Sequence, residues 1–372
     1  MITLKGMTWD HPRGYACLEA ASKLSEVTQG IRVEWERRSL QAFADVPIAQ
    51  LAKQYDFIVL DHPHVGQIAD SGCLLPLPEP EGFVANSMGG SAESYVYNDV
   101  CWAYAIDAAC QMAAYRPDMA GPLPLTWEAF LGSDAKAFRA VTPLKPVDAF
   151  DMLLTLAASR GDTEQPFSSS DYFAPETGLL GLKILKALYR LGPSEAVGWN
   201  PIQVLELLST TDEFACSPCL FGYINYARNG FRPNRLGYFD LPVFEGMDTR
   251  RAILGGAGLG VSAQTADPAV AIAYANWLAS EAVQSGVYVE NEGQPAHRQT
   301  WQKLASDPRW EGFLGGGQTT ISTAWTRPRS NWFLHYVDEV CEIFPNFFIR
   351  DINEQTFLDS LNGLFRHPYK DR

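Results

Sequence analysis

Phe57-Ile58-Val59-Leu60-Asp61-His62-Pro63-His64 runs four consecutive apolar residues into a polar turn. An apolar run this short, bounded by turn residues, reads as a strand buried on both faces, the habit of parallel sheets covered by helices. Upstream, Ile2 to Met7 is a short strand, and Tyr15 to Thr28 carries Ala16, Leu18, Ala20, Leu24 and Val27 at roughly helical spacing. Gly30 supplies the stop for that helix, and Ile31-Arg-Val-Glu-Trp35 alternates apolar with polar as a half-buried strand does. These elements form one βαβ unit, followed by a short helix over Pro47 to Lys53 that leads into Phe57. In open α/β sheets ligands gather at the carboxyl ends of strands, which places Asp61-His-Pro-His64 at an expected binding site.

Beyond it, Gly66 to Leu75 reads as a short helix ending at Gly72, and Pro76 to Gly82 as a loop. Ser94-Tyr-Val-Tyr97 and Cys101-Trp-Ala-Tyr-Ala-Ile106 predict a hairpin turning on Asn98 and Asp99. The middle third is mostly helical: Trp127 to Leu131 with Thr126 as its cap, Val147 to Ser159, and Gly178 to Leu191. Gly237 to Phe244 and Arg251 to Leu254 are strand-like, and the four glycines within Gly255–Gly260 read as a crossing into a further strand. Asp267 then opens a helix over Pro268 to Ser280, and Trp332 to Phe344 and Glu354 to Phe365 are helical again.

The 372 residues suffice for two hydrophobic cores, and 47% hydrophobic against 19% charged residues describes a globular chain. A net charge of −14 repels phosphate backbones and anionic surfaces, so no nucleic-acid partner is expected. No apolar run reaches the length of a membrane span, so no membrane insertion is expected. The start at Met1 lacks a secretory leader: periplasmic or extracellular residence follows if a leader was removed, cytoplasmic residence if Met1 is the native start. Seven scattered cysteines lean toward a reducing compartment. The nucleophile-elbow, zinc-protease, P-loop and dinucleotide motifs are absent in their required contexts, and no cofactor or metal is expected. Cys216-Ser-Pro-Cys219 has redox-motif spacing without opening a helix after a strand, which argues against redox activity.

Several strings in order resemble the solute-binding proteins of ABC importers, in the carbohydrate-binding group that includes maltose-binding protein. They are Thr28-Gln-Gly-Ile-Arg-Val33; Tyr55-Asp-Phe-Ile-Val59 with Ser71-Gly-Cys-Leu-Leu-Pro76; Trp102-Ala-Tyr-Ala-Ile106; Leu125-Thr-Trp-Glu-Ala-Phe130; Gly255 to Val261 with Ala269 to Glu281; and Glu292-Gly-Gln-Pro295. Leu24 stands where an aromatic is common in the family. The resemblance implies a two-lobed α/β periplasmic-binding-protein-like fold of type II, each lobe a mainly parallel sheet flanked by helices, with the ligand in a cleft between lobes. Lobe one would comprise 1–107 plus 259–315 and lobe two 108–258 plus 316–372, with crossings near 107–110, 255–260 and 315. It further implies a monomer that closes on a small polar organic solute, carbohydrate among the candidates, and hands it to an ABC permease if exported.

The candidate ligand residues follow from both readings. Trp9, Asp10, His11 and Arg13 sit between the first strand and first helix, where a helix N-terminus favours anionic groups and Asp10 is alternatively the helix cap. His62 and His64, one residue apart at a strand end, would share a side and either ligate a metal, for which no third ligand is placed, or donate hydrogen bonds to a ligand carboxylate; with Arg13 and Arg228 they suit a carboxylate solute as well as a sugar. By resemblance Asp107 occupies an acidic hinge position, or equally anchors a backbone amide; Tyr223, Asn225 and Arg228 combine aromatic, amide and guanidinium groups in the second lobe, or belong to its core. Gly256 would present backbone, Glu292 and Gln294 lie in a loop after a lobe-one helix, and Trp332 stands where relatives place a stacking aromatic. An enzymatic alternative rests on type I thiaminases, which share the fold and use a cleft cysteine: here Cys110 as nucleophile, with Asp107 or Glu292 as base, against Cys110 as a small buried hydrophobe.

Overall fold

The structure is a computed structural model that describes residues 1–39, 46–119, 121, 123–161 and 171–366. The last six residues of the expected second lobe, 367–372, lie outside the described residues. The chain packs as two compact units, residues 1–109, 254–307 and 329–331 in unit 1, and 110–253, 308–328 and 332–372 in unit 2.

Strand β1 (Ile2–Trp9) leads into helix α1 (Pro12–Gln29) and strand β2 (Ile31–Arg38). Pro12 presets the first turn of α1, the His11 imidazole accepts the Arg13 N–H at 3.1 Å, and Gly30 ends the helix in the left-handed conformation at φ +70°. The cap is therefore His11, while Asp10 is exposed. Strand β3 (Phe57–Leu60) is buried at all four positions and is followed by helix α2 (Val65–Ser71). The hairpin turns on Asn98 and Asp99 as expected, both at positive φ, but its strands shrink to β4 (Val96–Tyr97) and β5 (Val100–Cys101): Glu93–Tyr95 is a 3₁₀ turn and Tyr104–Ile106 belongs to the next strand.

Strand β6 (Tyr104–Tyr115) carries the chain from unit 1 into unit 2. Helices α3 (Pro146–Ser159), α4 (Pro175–Leu191) and α5 (Pro201–Thr210) follow, then strands β7 (Cys216–Phe221) and β8 (Gly237–Phe239). Strand β9 (Leu254–Val261) returns to unit 1, where Asp267 caps helix α6 (Pro268–Ala279) through the Val270 N–H. Helices α7 (Asn331–Ile349) and α8 (Glu354–Arg366) end the described chain.

In unit 1, β1 pairs in parallel with β2 on one side and β3 on the other, and β9 runs antiparallel to β3. Leu4, Val33, Phe57, Val59 and Leu259 of this sheet bury against Cys17, Leu18 and Ala21 of α1 and Ala271, Tyr274 and Leu278 of α6. Phe57 and Tyr274 meet with ring centroids 5.2 Å apart. Each buried Leu, Val or Phe side chain of this set contributes about 1.5–3 kcal/mol.

The α/β class stands, with corrections of detail. The mainly parallel arrangement holds for β2, β1 and β3, but in unit 2 both β7 and β8 pair antiparallel with β6. Helices α3 to α5 come in one run between β6 and β7, so no helix is interleaved to return the chain for a parallel neighbour. The glycine stretch is itself the body of β9. A Cβ at Gly258 would lie 2.7 Å from the Tyr95 ring, and one at Gly260 would lie 2.5 Å from Leu74 Cδ1. Gly237 to Phe244 shortens to β8 because Asp240 leaves the ladder to accept the Thr320 N–H at 2.8 Å, and Pro242 has no N–H to donate. The first expected helix of the middle third is a 3₁₀ turn, Glu128–Leu131, and Thr126 bridges Val243 instead of capping it. Helix α7 continues through Pro345, held by Phe344 and Phe347 against Phe357, with Phe348 packed on Phe344; the Phe347 and Phe357 rings stack at 4.6 Å.

Candidate functional site

Unit 1 reverses its strand order at β1. The chain moves from β1 outward to β2, then reappears at β3 on the other side, so a topological switch point lies between the carboxyl ends of β1 and β3. Trp9-Asp10-His11 leaves one of those ends and Asp61-His62 the other. Trp9 is 6% exposed, and its ring lies over Gly14 so closely that a Cβ there would be 2.4 Å from Cδ2. Thr8 Oγ1 donates to the Gly14 carbonyl at 2.7 Å, pinning the loop that holds the indole.

The two histidines do not share a strand face. They occupy a 3₁₀ turn, His62–His64, which begins because Asp61 Oδ1 accepts the His62 N–H at 2.8 Å and Pro63 presets the next φ. Near 120° per residue, positions two apart point away from each other. His62 is fully buried, its Nδ1 3.1 Å from the Asp61 carboxylate and its ring edge-on to Tyr95, whereas His64 is half-buried with Nδ1 3.5 Å from Gln67 Oε1. Asp61, which sequence reasoning passed over as part of the turn, is the acceptor that builds it. Among the described residues no group of three His, Cys, Asp or Glu is placed to hold a metal.

Arg13 and Asp107 spend their charge on each other. Arg13 Nε donates to Asp107 Oδ2 at 2.7 Å and Nη2 to Oδ1, and the two residues are 4% and 1% exposed. Burial raises the Asp107 carboxyl above its usual range, with the guanidinium opposing. Around this pair, Gln294 Nε2 donates to the Ala108 carbonyl at 2.7 Å and Gln284 Nε2 to that of Ile106 at 3.0 Å. Gly256 of β9 lies against the Asp107 carbonyl of β6. Glu292, half-buried at φ +73°, turns the chain into this network. Asp107, Gln294 and Gly256 thus gather along β6, while Trp9, Asp10, His11 and His62 gather at the switch point.

In unit 2, Tyr223 immediately precedes the 3₁₀ turn Ile224–Ala227 that contains Asn225, which is fully buried. The Tyr238 hydroxyl donates to the Tyr223 carbonyl at 2.8 Å and accepts the Tyr223 N–H at 3.4 Å. Arg228 lies over Trp310, guanidinium carbon to ring centroid 4.8 Å. Trp310 and Tyr238 carried no family-like string and were missed. Trp332 is elsewhere in the unit, among Tyr172, Phe333 and Phe365 with centroids 5.8–6.4 Å away.

The nucleophile reading fails on accessibility and charge. Cys110 is 0% exposed, and burial, reinforced by Asp240, pushes its thiol far above the ordinary value, so the reactive thiolate is withheld. Cys216 and Cys219 lie three apart in the extended strand β7 and so face opposite sides; burial raises Cys216 to about 12 and pushes Cys219 well above the ordinary thiol value. Native alkylation with mass-spectrometric mapping should therefore label the half-buried Cys73 first, with Cys110 and Cys219 at least about a hundredfold slower until denaturant is added. Early labelling of Cys110 would reopen the nucleophile.

The family model for bacterial extracellular solute-binding proteins matches residues 19–290, about three quarters of the chain. The chain belongs to this family. The solute-binding protein is also similar over its whole length to solved structures. A solute-binding protein of an ABC transporter from Thermotoga lettingae TMO, bound with α-D-tagatose, is 17% identical at TM-score 0.80, covering 98% of this chain and 99% of that one. One from Agrobacterium radiobacter K84 in complex with ribitol is 17% identical at TM-score 0.77, covering 98% of each chain. A cyclo/maltodextrin-binding protein complexed with maltotetraose is 14% identical at TM-score 0.72, covering 98% and 96%. These likenesses establish the two-lobed periplasmic-binding-protein-like fold for the solute-binding protein.

Proposed function

We propose that this protein captures a neutral polyhydroxylated solute, a sugar or sugar alcohol, outside the cytoplasm and delivers it to an ABC import system without transforming it. On unit 1 the ligand contacts are assigned to Trp9, Asp10 and His62 at the ends of β1 and β3; on unit 2, to Tyr223, Asn225 and Arg228. The observation that carries the reading is the switch point between β1 and β3, placed within a family whose business is solute capture. Sugar and polyol ligands in the structural neighbours support the class. The Arg13–Asp107 pair supports it further: two guanidinium donors that would suit a carboxylate ligand are already held by the protein's own carboxylate. The buried thiol of Cys110 supports binding over turnover.

Isothermal titration of the full chain against maltose, tagatose, ribitol and their acid counterparts tests this. Micromolar affinity for a neutral member, about −8 kcal/mol, is expected. Trp9→Ala and Arg228→Ala should each weaken it by about tenfold or more. Unchanged affinity in both variants would sink the site assignment, and binding confined to the acids would sink the neutral class.

A further inference from the structure

Unit 2 carries a basic groove that the solute reading does not use. The 3₁₀ turns Glu128–Leu131 and Ser133–Phe138 form one wall and helix α4 the other of an open surface groove of about 490 Å³. Four cations, Lys136, Lys183, Lys186 and Arg190, and one carboxylate, Glu354, line it, a net positive patch in a chain whose net charge is −14.

Their states differ. Lys186 is committed to the fold: its side chain is 5% exposed, Nζ donates to the Ile352 carbonyl at 2.6 Å, lies 3.1 Å from Asp351 and 3.3 Å from Glu354, and sits over Phe347. Arg190 reaches the exposed Asp351 only at 3.4 Å. Lys136 and Lys183 are exposed, and neither side chain has a hydrogen bond or ion pair among the described residues. The lining also has an apolar part, with Phe130 buried and Leu131 44% exposed.

We propose that this groove docks an acidic polypeptide segment of a partner protein, one with carboxylates spaced along its length and an apolar side chain set against Leu131. Lys183 and Arg190 are seven residues apart on one helix face, a rise of about 10.5 Å, too far for one small anion to bridge and well matched to an extended chain of carboxylates. The concavity disfavours a planar lipid surface, and the apolar part of the lining rewards an inserted side chain that inorganic phosphate lacks. Steering between opposite charges makes such docking fast and salt-sensitive.

The test titrates the full chain into a fluorescein-labelled Glu-Glu-Leu-Glu-Glu-Leu-Glu peptide, followed by anisotropy at low and at physiological ionic strength. Binding that weakens with salt is expected, together with loss of binding for the glutamine analogue of the peptide. Combining Lys183→Glu with Arg190→Glu should weaken the peptide by about tenfold or more. Lys136→Glu, on the opposite wall, should do so independently, and all three exposed positions should leave thermal unfolding unchanged. Absence of binding at low salt, affinity unaltered in both variants, or complete displacement by phosphate at matched ionic strength would overturn the proposal. So would capture on phosphatidylglycerol vesicles that the same substitutions abolish.

Discussion

Asp107→Ala is expected to destabilise the protein by about 3–5 kcal/mol, because it leaves the Arg13 guanidinium buried without its carboxylate. Taking both charges out of water is costly in itself, and burial already pushes Asp107 toward its neutral form. The pair is therefore poor evidence for net stability while remaining expensive to break. A double variant makes the distinction. Arg13→Met with Asp107→Leu replaces the pair by apolar volume and should recover most of the loss, so the two single changes are strongly non-additive. Urea unfolding followed by tryptophan fluorescence reads this directly. A wild-type midpoint for Asp107→Ala, or a double variant as unstable as the sum of the singles, would show that the contact does not hold β6 to α1.

The parts of the fold that the sequence announces are those whose local signals agree with their surroundings. Phe57 to Leu60, Asp267 with Pro268, Gly30 after α1, and Asn98-Asp99 between strands each combine an apolar period with the right cap or turn residue. Strand β6 is the opposite case. Asp107-Ala-Ala-Cys-Gln-Met-Ala-Ala114 is rich in good helix formers, so the strand reading stops at Ile106, yet the chain stays extended to Tyr115. It does so because almost every residue of β6 is buried and β7 and β8 both pair with it, a tertiary demand that local propensity does not carry. Strand β9 is hidden for a related reason: its glycines answer to Tyr95 and Leu74, residues far away in sequence.

At the site, position was legible and partnership was not. The strand-end rule locates Trp9 to Arg13 and Asp61 to His64 without reference to any contact. Whether a charged residue in such a loop faces a ligand or another residue depends on pairs 94 positions apart, as for Arg13 and Asp107. Trp310 under Arg228 is similarly a long-range pairing, 82 positions apart in the chain, for which Pro308-Arg309-Trp310 gives no periodic or motif signal. The histidine pair misled because a strand was assumed to reach His62, whereas Asp61 ends it with a cap.

Gly256→Ala should be strongly damaging to unit 1. The residue sits at φ +110°, a conformation costing an L-residue about 1–3 kcal/mol, and the added Cβ would lie 2.3 Å from the Asp107 carbonyl oxygen and 3.1 Å from the Ala109 nitrogen. Both obstacles are backbone, so no rotamer change relieves them, and β9 must shift away from β6. The expected cost is about 4 kcal/mol or more, in the range that a backbone clash on top of a strained φ produces. Gly30→Ala is the matched control: it shares positive φ, at +70°, but has nothing within 4 Å of the new methyl, so about 1 kcal/mol is expected. The comparison also separates two roles for Gly256. Were its bareness needed only for a ligand to approach the backbone, Gly256→Ala would unfold like wild type and lose solute affinity. The contact with Asp107 requires the reverse order, a lowered unfolding midpoint in the absence of any solute, and thermal unfolding of the unliganded variant beside Gly30→Ala decides between them.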